Sequence, residues 1–124
     1  MISRREARRT ALFLLYQWDL TGQPLASLFE GEVDPFAKDL AEATSLQARS
    51  LDERISEAST GWPADRLGAL ERNILRVALT ELDRGDPPRE VVIDEAVHLA
   101  KRYSSADAGR LVNGILGQLA KEAA

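Results

Sequence analysis

The chain has 124 residues, 44% of them hydrophobic, a formal net charge of −4 and no cysteine. This length predicts a single domain, residues 1–124, that buries its own core. The absence of cysteine excludes disulfides, thiolate zinc sites and cysteine nucleophiles, and it suits a cytoplasmic location. The apolar stretches are too short to span a bilayer and no signal peptide is evident, so no membrane partner is expected.

The first helix is predicted to begin with a cluster of arginines. Ser3 can cap its N-terminus, and the apolar run from Ala7 to Leu20 contains neither proline nor glycine. The first nine residues carry four arginines against the carboxylate of Glu6, a net charge of +3, in a chain of net charge −4. Because guanidinium forks match phosphate oxygens, a basic helix start on an acidic protein indicates one binding place for RNA or DNA.

When successive side chains are placed about 100° apart around the axis of this helix, two faces can be distinguished. The predicted core face consists of Ala7, Ala11, Leu14, Leu15 and Trp18. A second stripe, polar at its start and apolar further along, consists of Arg5, Arg9, Leu12 and Tyr16. We expect the second stripe to be available to a ligand or partner.

Helix-breaking residues and helix caps indicate where the next helices begin and end. Residues 21–24 (TGQP) end the first helix, and a short helical turn follows at 25–29. Asp34 is a predicted N-cap because a proline follows it at the first helical position. Apolar residues at helical spacing predict a helix over 45–59. Trp62, in the turn after it, is expected to fold back on the core.

Three further helices are predicted in the second half. Apolar spacing from Asp65 to about Arg84 predicts a long helix, ended by a glycine. Val91–Ile93 has strand propensity, but helical spacing continues after it and Pro88 suits a helix start, so a helix is predicted. Residues 104–107 offer several caps for a last helix. The fold class is therefore all-α.

The last helix contains unusual residues for a helix interior. Gly109, Gly114 and Gly117 each destabilise a helix by about 1 kcal/mol relative to alanine, so Gly114 and Gly117 are expected to admit a close neighbouring helix. Asn113 is expected to be buried and to tie down a turn or helix end by hydrogen bonds. The predicted core face is Ala108, Leu111, Val112, Ile115, Leu116 and Leu119.

Two glutamates of the helix after Asp65 differ in their surroundings. Glu81 falls inside the apolar arc, which favours a structural ion pair or cap over a ligand contact, because a buried carboxylate needs a donor. Glu71 lies in the first turn, where the helix dipole favours it and it remains available to a partner.

The sequence contains little that indicates a catalytic site. His98 is the only histidine, so a site with two histidine ligands to a metal is excluded. Asp94 and Glu95 are adjacent and point about 100° apart, which is poor geometry for a carboxylate pair at one site. Glycines occur singly and not as a phosphate loop. We therefore expect no enzyme, no metal and no cofactor.

Three segments resemble one family. They are the sequence RREARR (4–9) with ALFLLYQWDL (11–20), ERNILRVALTEL (71–82) and VVIDEAVHLAKRYSSADAGRLVNGIL (91–116). Together they resemble the bacterial transcription antitermination factor NusB, whereas residues 22–60 match less well. The resemblance implies an all-α fold of about six to seven helices in two small packed bundles.

The resemblance also implies a function. The family binds the single-stranded boxA element of ribosomal RNA leaders together with the ribosomal protein NusE, and it delivers this complex to elongating RNA polymerase. The positions that match the family's RNA surface are Arg4, Arg5, Arg8, Arg9, Tyr103 and Asp107. The positions that match its NusE surface are Tyr16 and Glu71.

Two alternatives remain at this point. The same helical domain resembles the N-terminal part of some ribosomal RNA cytosine methyltransferases, although with the chain ending at Ala124 we expect no donor-binding α/β domain. The other alternative is a helical adaptor or homodimer that binds only protein and leaves its arginines solvated.

Overall fold

The computed structural model describes residues 2–59 and 63–123, and the regular structure within these ranges is helical. The α-helices are α1 (Arg4–Thr21), α2 (Pro35–Leu46), α3 (Ala48–Ala58), α4 (Ala69–Arg84), α5 (Arg89–Tyr103) and α6 (Ala106–Ala123). Short 3-10 turns lie at Leu25–Leu28 and Ala64–Arg66. The prediction of an all-α fold is confirmed. The prediction for Trp62 lies outside the described residues.

Local caps set the helix boundaries. The Ser3 side chain accepts a hydrogen bond from an amide in the first turn of α1, and the Asp34 carboxylate accepts two such bonds at the start of α2. Gly22 and Gly85 follow α1 and α4 with φ of 71° and 75°, the left-handed conformation that glycine adopts without steric penalty. These ends agree with the sequence prediction, because the cap residues act on their own neighbours.

Helix α5 confirms that spacing outweighs strand propensity in this segment. Val92, Ala96, Leu99 and Ala100 are all buried. Measured from Val92 they follow at four, seven and eight residues, the spacing of one helix face. The predicted helix over 45–59 is also present, but it is divided at Gln47 into the end of α2 and the whole of α3.

The helices enclose two apolar cores, as the two-bundle prediction requires. The smaller core lies among α1, the first 3-10 turn, α2 and one face of α4, and it contains Ala11, Leu15, Leu25, Leu40, Ala41 and Val77. The larger core lies among α3, α4, α5 and α6 and also receives Leu12 from α1. Leu12 is 0% exposed, so its predicted place on an available stripe was wrong. The reason is that α1 is covered on two sides.

Charged groups join the bundles near the C-terminal end of α1. The Asp19 carboxylate accepts hydrogen bonds from Arg72, Asn73 and Arg76 of α4, at 2.9, 3.0 and 3.1 Å. Arg76 also donates to Asp52 of α3 through two nitrogens, at 2.7 and 2.6 Å. One arginine therefore ties α4 to both α1 and α3, which holds the N-terminal helix in a defined place on the larger bundle.

A buried hydroxyl pair links α2 to α4 and provides a stability test. Thr44 and Thr80 are 0% and 3% exposed, and their hydroxyl oxygens lie 2.9 Å apart. Thr80 can donate to the carbonyl of Arg76 and accept from Thr44. Replacing Thr44 with valine should lower the free energy of unfolding by about 1 kcal/mol, the net value of one such bond. Urea unfolding measures this change, and a loss below about 0.3 kcal/mol would contradict the assigned bond.

Helix α6 differs from its prediction at several positions. A Cβ built on Gly114 or Gly117 meets no atom within 4 Å, so no close helix explains either glycine. Asn113 is exposed rather than buried, and Leu111 is 38% exposed. The predicted arc was too wide, because α6 packs mainly on α5 and covers a narrower stripe. The buried members of that stripe are Ala108, Val112, Ile115, Leu116, Leu119 and Ala120.

No α-helix or 3-10 turn within residues 2–59 and 63–123 is long and apolar enough to cross a membrane. Among the same residues, no cluster of three or more histidine, aspartate or glutamate side chains is placed to hold a metal ion.

Candidate nucleic-acid interface

The N-terminal arginines of α1 divide between two sides of the helix. Arg5 and Arg9, one turn apart, both reach side chains of α5, and both are exposed. Arg4 and Arg8, also one turn apart, are directed toward α2 and α4 instead. The four arginines of the predicted RNA-binding cluster therefore fall into two pairs with different neighbouring helices.

Arg5 forms a two-point ion pair with Glu95 of α5. Its Nε lies 3.0 and 3.2 Å from the two carboxylate oxygens, and its Nη2 lies 2.6 Å from Oε1. The Arg5 side chain is 68% exposed, whereas that of Glu95 is 12% exposed. The hydrogen bond and the charge of Glu95 raise the pKa of Arg5 further above its ordinary value. The guanidinium is thus charged, exposed and held in one orientation.

Arg9 lies in an aromatic and cationic cluster. The ring of Phe13 meets the ring of Tyr103 edge to face, with centroids 5.0 Å apart and planes at 87°. The guanidinium carbon of Arg102 lies 5.4 Å from the centroid of the Tyr103 ring. Phe13 is 38% exposed. An exposed ring beside guanidinium groups is the combination on which an unstacked base can stack while its phosphate is neutralised.

The Tyr103 hydroxyl reports the positive field of this cluster. Its partial removal from water raises the pKa of Tyr103, but a hydrogen bond from Arg9 and the charges of Arg102 and Arg9 oppose that effect and lower the pKa overall. Positive charge is therefore concentrated at the surface between α1 and the C-terminal end of α5, on a chain whose net charge is negative.

Phe13 was missed by the sequence interpretation, although a signal for it exists. Residues 5, 9 and 13 are spaced by four, so their side chains lie along one face of a helix. The helical projection grouped Arg5 and Arg9 with Leu12 and Tyr16. In the structure Leu12 is buried and Phe13 continues the exposed stripe.

Arg8 is a structural residue in this fold. It is 7% exposed, and its Nε donates a hydrogen bond of 2.6 Å to Oε1 of Glu81, which is 2% exposed. This pair confirms the prediction that Glu81 takes part in a structural ion pair. This burial leaves little of the Arg8 side chain at the surface, and its contact with RNA stays a prediction.

Arg4 is exposed and stacks on an aromatic ring. Its guanidinium carbon lies 3.9 Å from the centroid of the Phe36 ring at the start of α2. Within the described ranges no ion pair involves Arg4, so its charge remains available at the N-terminal end of α1. Its side chain points about 100° around the helix axis from that of Arg5.

The turn between α5 and α6 carries the other predicted RNA residues. Tyr103 ends α5, and Asp107 lies exposed in the first turn of α6, in contact with Arg110. Beside the turn a groove of about 290 Å³ runs between this end of α6 and the start of α4. Its lining includes Asp107, Ser104 and Glu71.

The two predicted partner residues lie on different helices, α1 and α4. Tyr16 is half-buried on α1, and Glu71 is half-buried in the first turn of α4. The Glu71 carboxylate accepts a hydrogen bond from Ser104, and a Cβ on Gly68 would overlap with it. Glu71 is therefore less free than its place at a helix start suggested. No hydrogen bond or ion pair joins Tyr16 to Glu71 in the ranges described.

The fold and this surface define an all-helical protein of two packed bundles, with arginines and aromatic rings side by side along its first helix. The sequence model of the NusB family matches residues 5–121. The chain is similar to the transcription antitermination protein NusB of Desulfitobacterium hafniense (strain DSM 10664 / DCB-2), with 41% identity over 131 residues, covering 95% of this chain and 88% of that protein. The chain belongs to the NusB family of transcription antitermination proteins.

Solved structures agree with this assignment. NusB of T. maritima superimposes with a TM-score of 0.85 at 33% identity, covering 98% of this chain and 92% of that chain. A second match comes from a crystal structure of the antitermination factors NusB and NusE in complex with dsRNA. It has a TM-score of 0.84 at 31% identity and covers 96% of each chain.

Proposed function

We propose that this chain binds boxA-type single-stranded RNA of ribosomal RNA leaders together with the ribosomal protein NusE. It then carries the complex to elongating RNA polymerase and promotes processive transcription in the cytoplasm. Residues 1–124 act as one RNA-binding unit, by binding and not by catalysis. Family membership supports the proposed transcription role, and the relative crystallised with NusE and dsRNA supports NusE and RNA as partners.

The observation that carries the proposal is the exposed face shared by Arg5, Arg9, Phe13 and Tyr103. Guanidinium groups bind phosphate oxygens of any sequence, and aromatic rings stack on bases that are not paired. Single-stranded RNA offers both groups at once, whereas bases inside a duplex are stacked on each other. The acidic remainder of the chain disfavours RNA elsewhere, so binding is directed to this face.

The proposed RNA surface consists of Arg4, Arg5, Arg9, Tyr103 and Asp107, with Phe13 added from the structure. Arg8 supports this surface from beneath by fixing α1 on α4. Tyr16 and Glu71 remain the proposed NusE contacts. Asp107 of the first set and Glu71 of the second line one groove, which supports adjacent binding of RNA and NusE. NusE placed there would extend the RNA surface, which is needed because so few arginines bind RNA only modestly.

Fluorescence anisotropy with labelled RNA tests the proposal. A boxA-like RNA and a scrambled RNA of the same composition are titrated with the chain, with and without NusE, at fixed salt. We expect modest affinity for the chain alone and, with NusE, about tenfold tighter binding of boxA-like than of scrambled RNA, the discrimination of one good base contact.

Each other outcome would indicate a different function for this protein. Equal affinity for both RNAs with NusE present would contradict boxA recognition. A stable complex with NusE but without RNA binding would indicate the protein-only adaptor. Binding of RNA that NusE leaves unchanged would contradict the shared surface and favour an independent RNA-binding domain.

A further inference from the structure

Glu95 contacts only one edge of the Arg5 guanidinium. The bonds come from Nε and Nη2, which lie on the same side of the planar group. The outer edge, formed by Nη1 and the second hydrogen of Nη2, donates no hydrogen bond to any described residue. A guanidinium has five N–H donors in a rigid plane, so an arginine bound along one edge still offers a second fork.

Burial differs between the two partners. Glu95 is 12% exposed and belongs to a helix that is anchored next to it by Ala96 and one turn earlier by Val92, both buried. Arg5 is 68% exposed. The carboxylate is therefore the fixed member of the pair and the guanidinium the member that faces solvent. An arginine held in this way loses little conformational freedom when its outer edge binds a second anion.

We propose that Glu95 is a positioning residue for RNA binding: it holds Arg5 so that the outer guanidinium edge faces a phosphate of the RNA backbone. This inference rests on the proposed function. Glu95 does not contact RNA, and the phosphate does not displace it, because the two anions use opposite edges of the same group. The local negative charge of Glu95 opposes RNA, and orientation of Arg5 outweighs that effect.

If Glu95 masked Arg5 instead of positioning it, neutralising Glu95 would change RNA affinity in the opposite direction, which makes the inference testable. If Glu95 masked Arg5, RNA would have to displace the carboxylate, and neutralising it would tighten binding. If Glu95 positions Arg5, neutralising it weakens binding even though the chain becomes more positive. Net charge alone predicts the wrong sign for a positioning residue.

A double-mutant cycle of Glu95→Gln and Arg5→Ala, measured by anisotropy with boxA-like RNA and NusE, provides the test. We expect Glu95→Gln to weaken binding about fivefold in the wild-type background, a coupling typical of groups in contact. In the Arg5→Ala background the same substitution should leave affinity unchanged or slightly tighter. A general effect on folding would weaken binding equally in both backgrounds and would overturn the inference, as would tighter binding of the single Glu95→Gln variant.

Asp94→Asn is the matched control. Asp94 is the adjacent, exposed residue of α5, and its substitution makes the same change in charge. We expect equal or slightly tighter binding from it. If the wild-type chain with NusE fails to bind the RNA, the proposed function fails and this inference with it. If the wild-type chain binds but Glu95 and Arg5 show no coupling, only this inference fails.

Discussion

Replacing Glu81 with alanine is expected to lower the free energy of unfolding by about 3–5 kcal/mol, the range for removing one partner of a buried ion pair. Arg8 would keep its charge at 7% exposure without the carboxylate that now lies 2.6 Å away. The guanidinium must then remain buried and unpaired or draw the start of α1 away from α4. Urea unfolding followed by circular dichroism measures the loss.

Two controls separate the buried charge from the lost packing. The double variant Arg8→Met with Glu81→Leu removes both charges and retains bulk, so it should unfold within about 2 kcal/mol of wild type. Asp39→Ala breaks the exposed Arg84 pair, in which Asp39 is 67% exposed, and should change stability by less than about 1 kcal/mol. A double variant as unstable as Glu81→Ala would show that the charges themselves stabilise the fold.

Much of the helical layout could be predicted because its signals are local. Asp34 caps α2 through amides two and three residues away, and Gly85 ends α4 through its own left-handed backbone. Helical spacing correctly overrode the strand propensity of Val91–Ile93, because a buried stripe stabilises a helix more than individual propensities oppose it.

The errors arose where the relevant neighbour is distant in sequence. A helical projection assigns one buried side to a helix, but α1 lies between two cores, so Leu12 is buried as completely as Leu15. In α6 the width of the covered face depends on how α5 crosses it, which leaves Gly114 open and Asn113 exposed. Nothing within either helix contains that information.

The site was predicted in part for the same reason. Burial of Glu81 was visible in the apolar arc of α4, but its partner Arg8 lies 73 positions away. Glu95 is a second case, because its partner Arg5 lies 90 positions away. From the sequence alone, Glu95 was considered only as half of a carboxylate pair with Asp94, which its geometry disfavours. Phe13, in contrast, could have been found, because its spacing from Arg9 is local.

Replacing Arg5 and Arg9 together with alanine is expected to weaken binding of boxA-like RNA, with NusE present, by about 10- to 100-fold at low salt. Both guanidinium groups are exposed. Arg9 lies beside Tyr103, and Arg5 lies beside Glu95 on the same helix, α5. The salt slope is the slope of the logarithm of the binding constant against the logarithm of salt concentration. Each arginine that neutralises a phosphate of a single strand adds about 0.7 to its magnitude, so the double variant should reduce it by about 1.4.

The salt slope distinguishes lost contacts from a lost fold or a lost overall charge. Arg49→Ala with Arg54→Ala removes the same charge from α3, and it should leave the slope within about 0.3 of wild type because long-range effects are screened. The free energy of unfolding should stay within about 1 kcal/mol of wild type for both double variants, since Arg5, Arg9 and Arg49 are exposed and the Arg54–Asp83 pair is solvent-accessible. If removal of Arg5 and Arg9 left affinity and slope unchanged, RNA would not bind at this face. Equal losses for the α3 variant would mean that RNA responds only to the net charge of the chain.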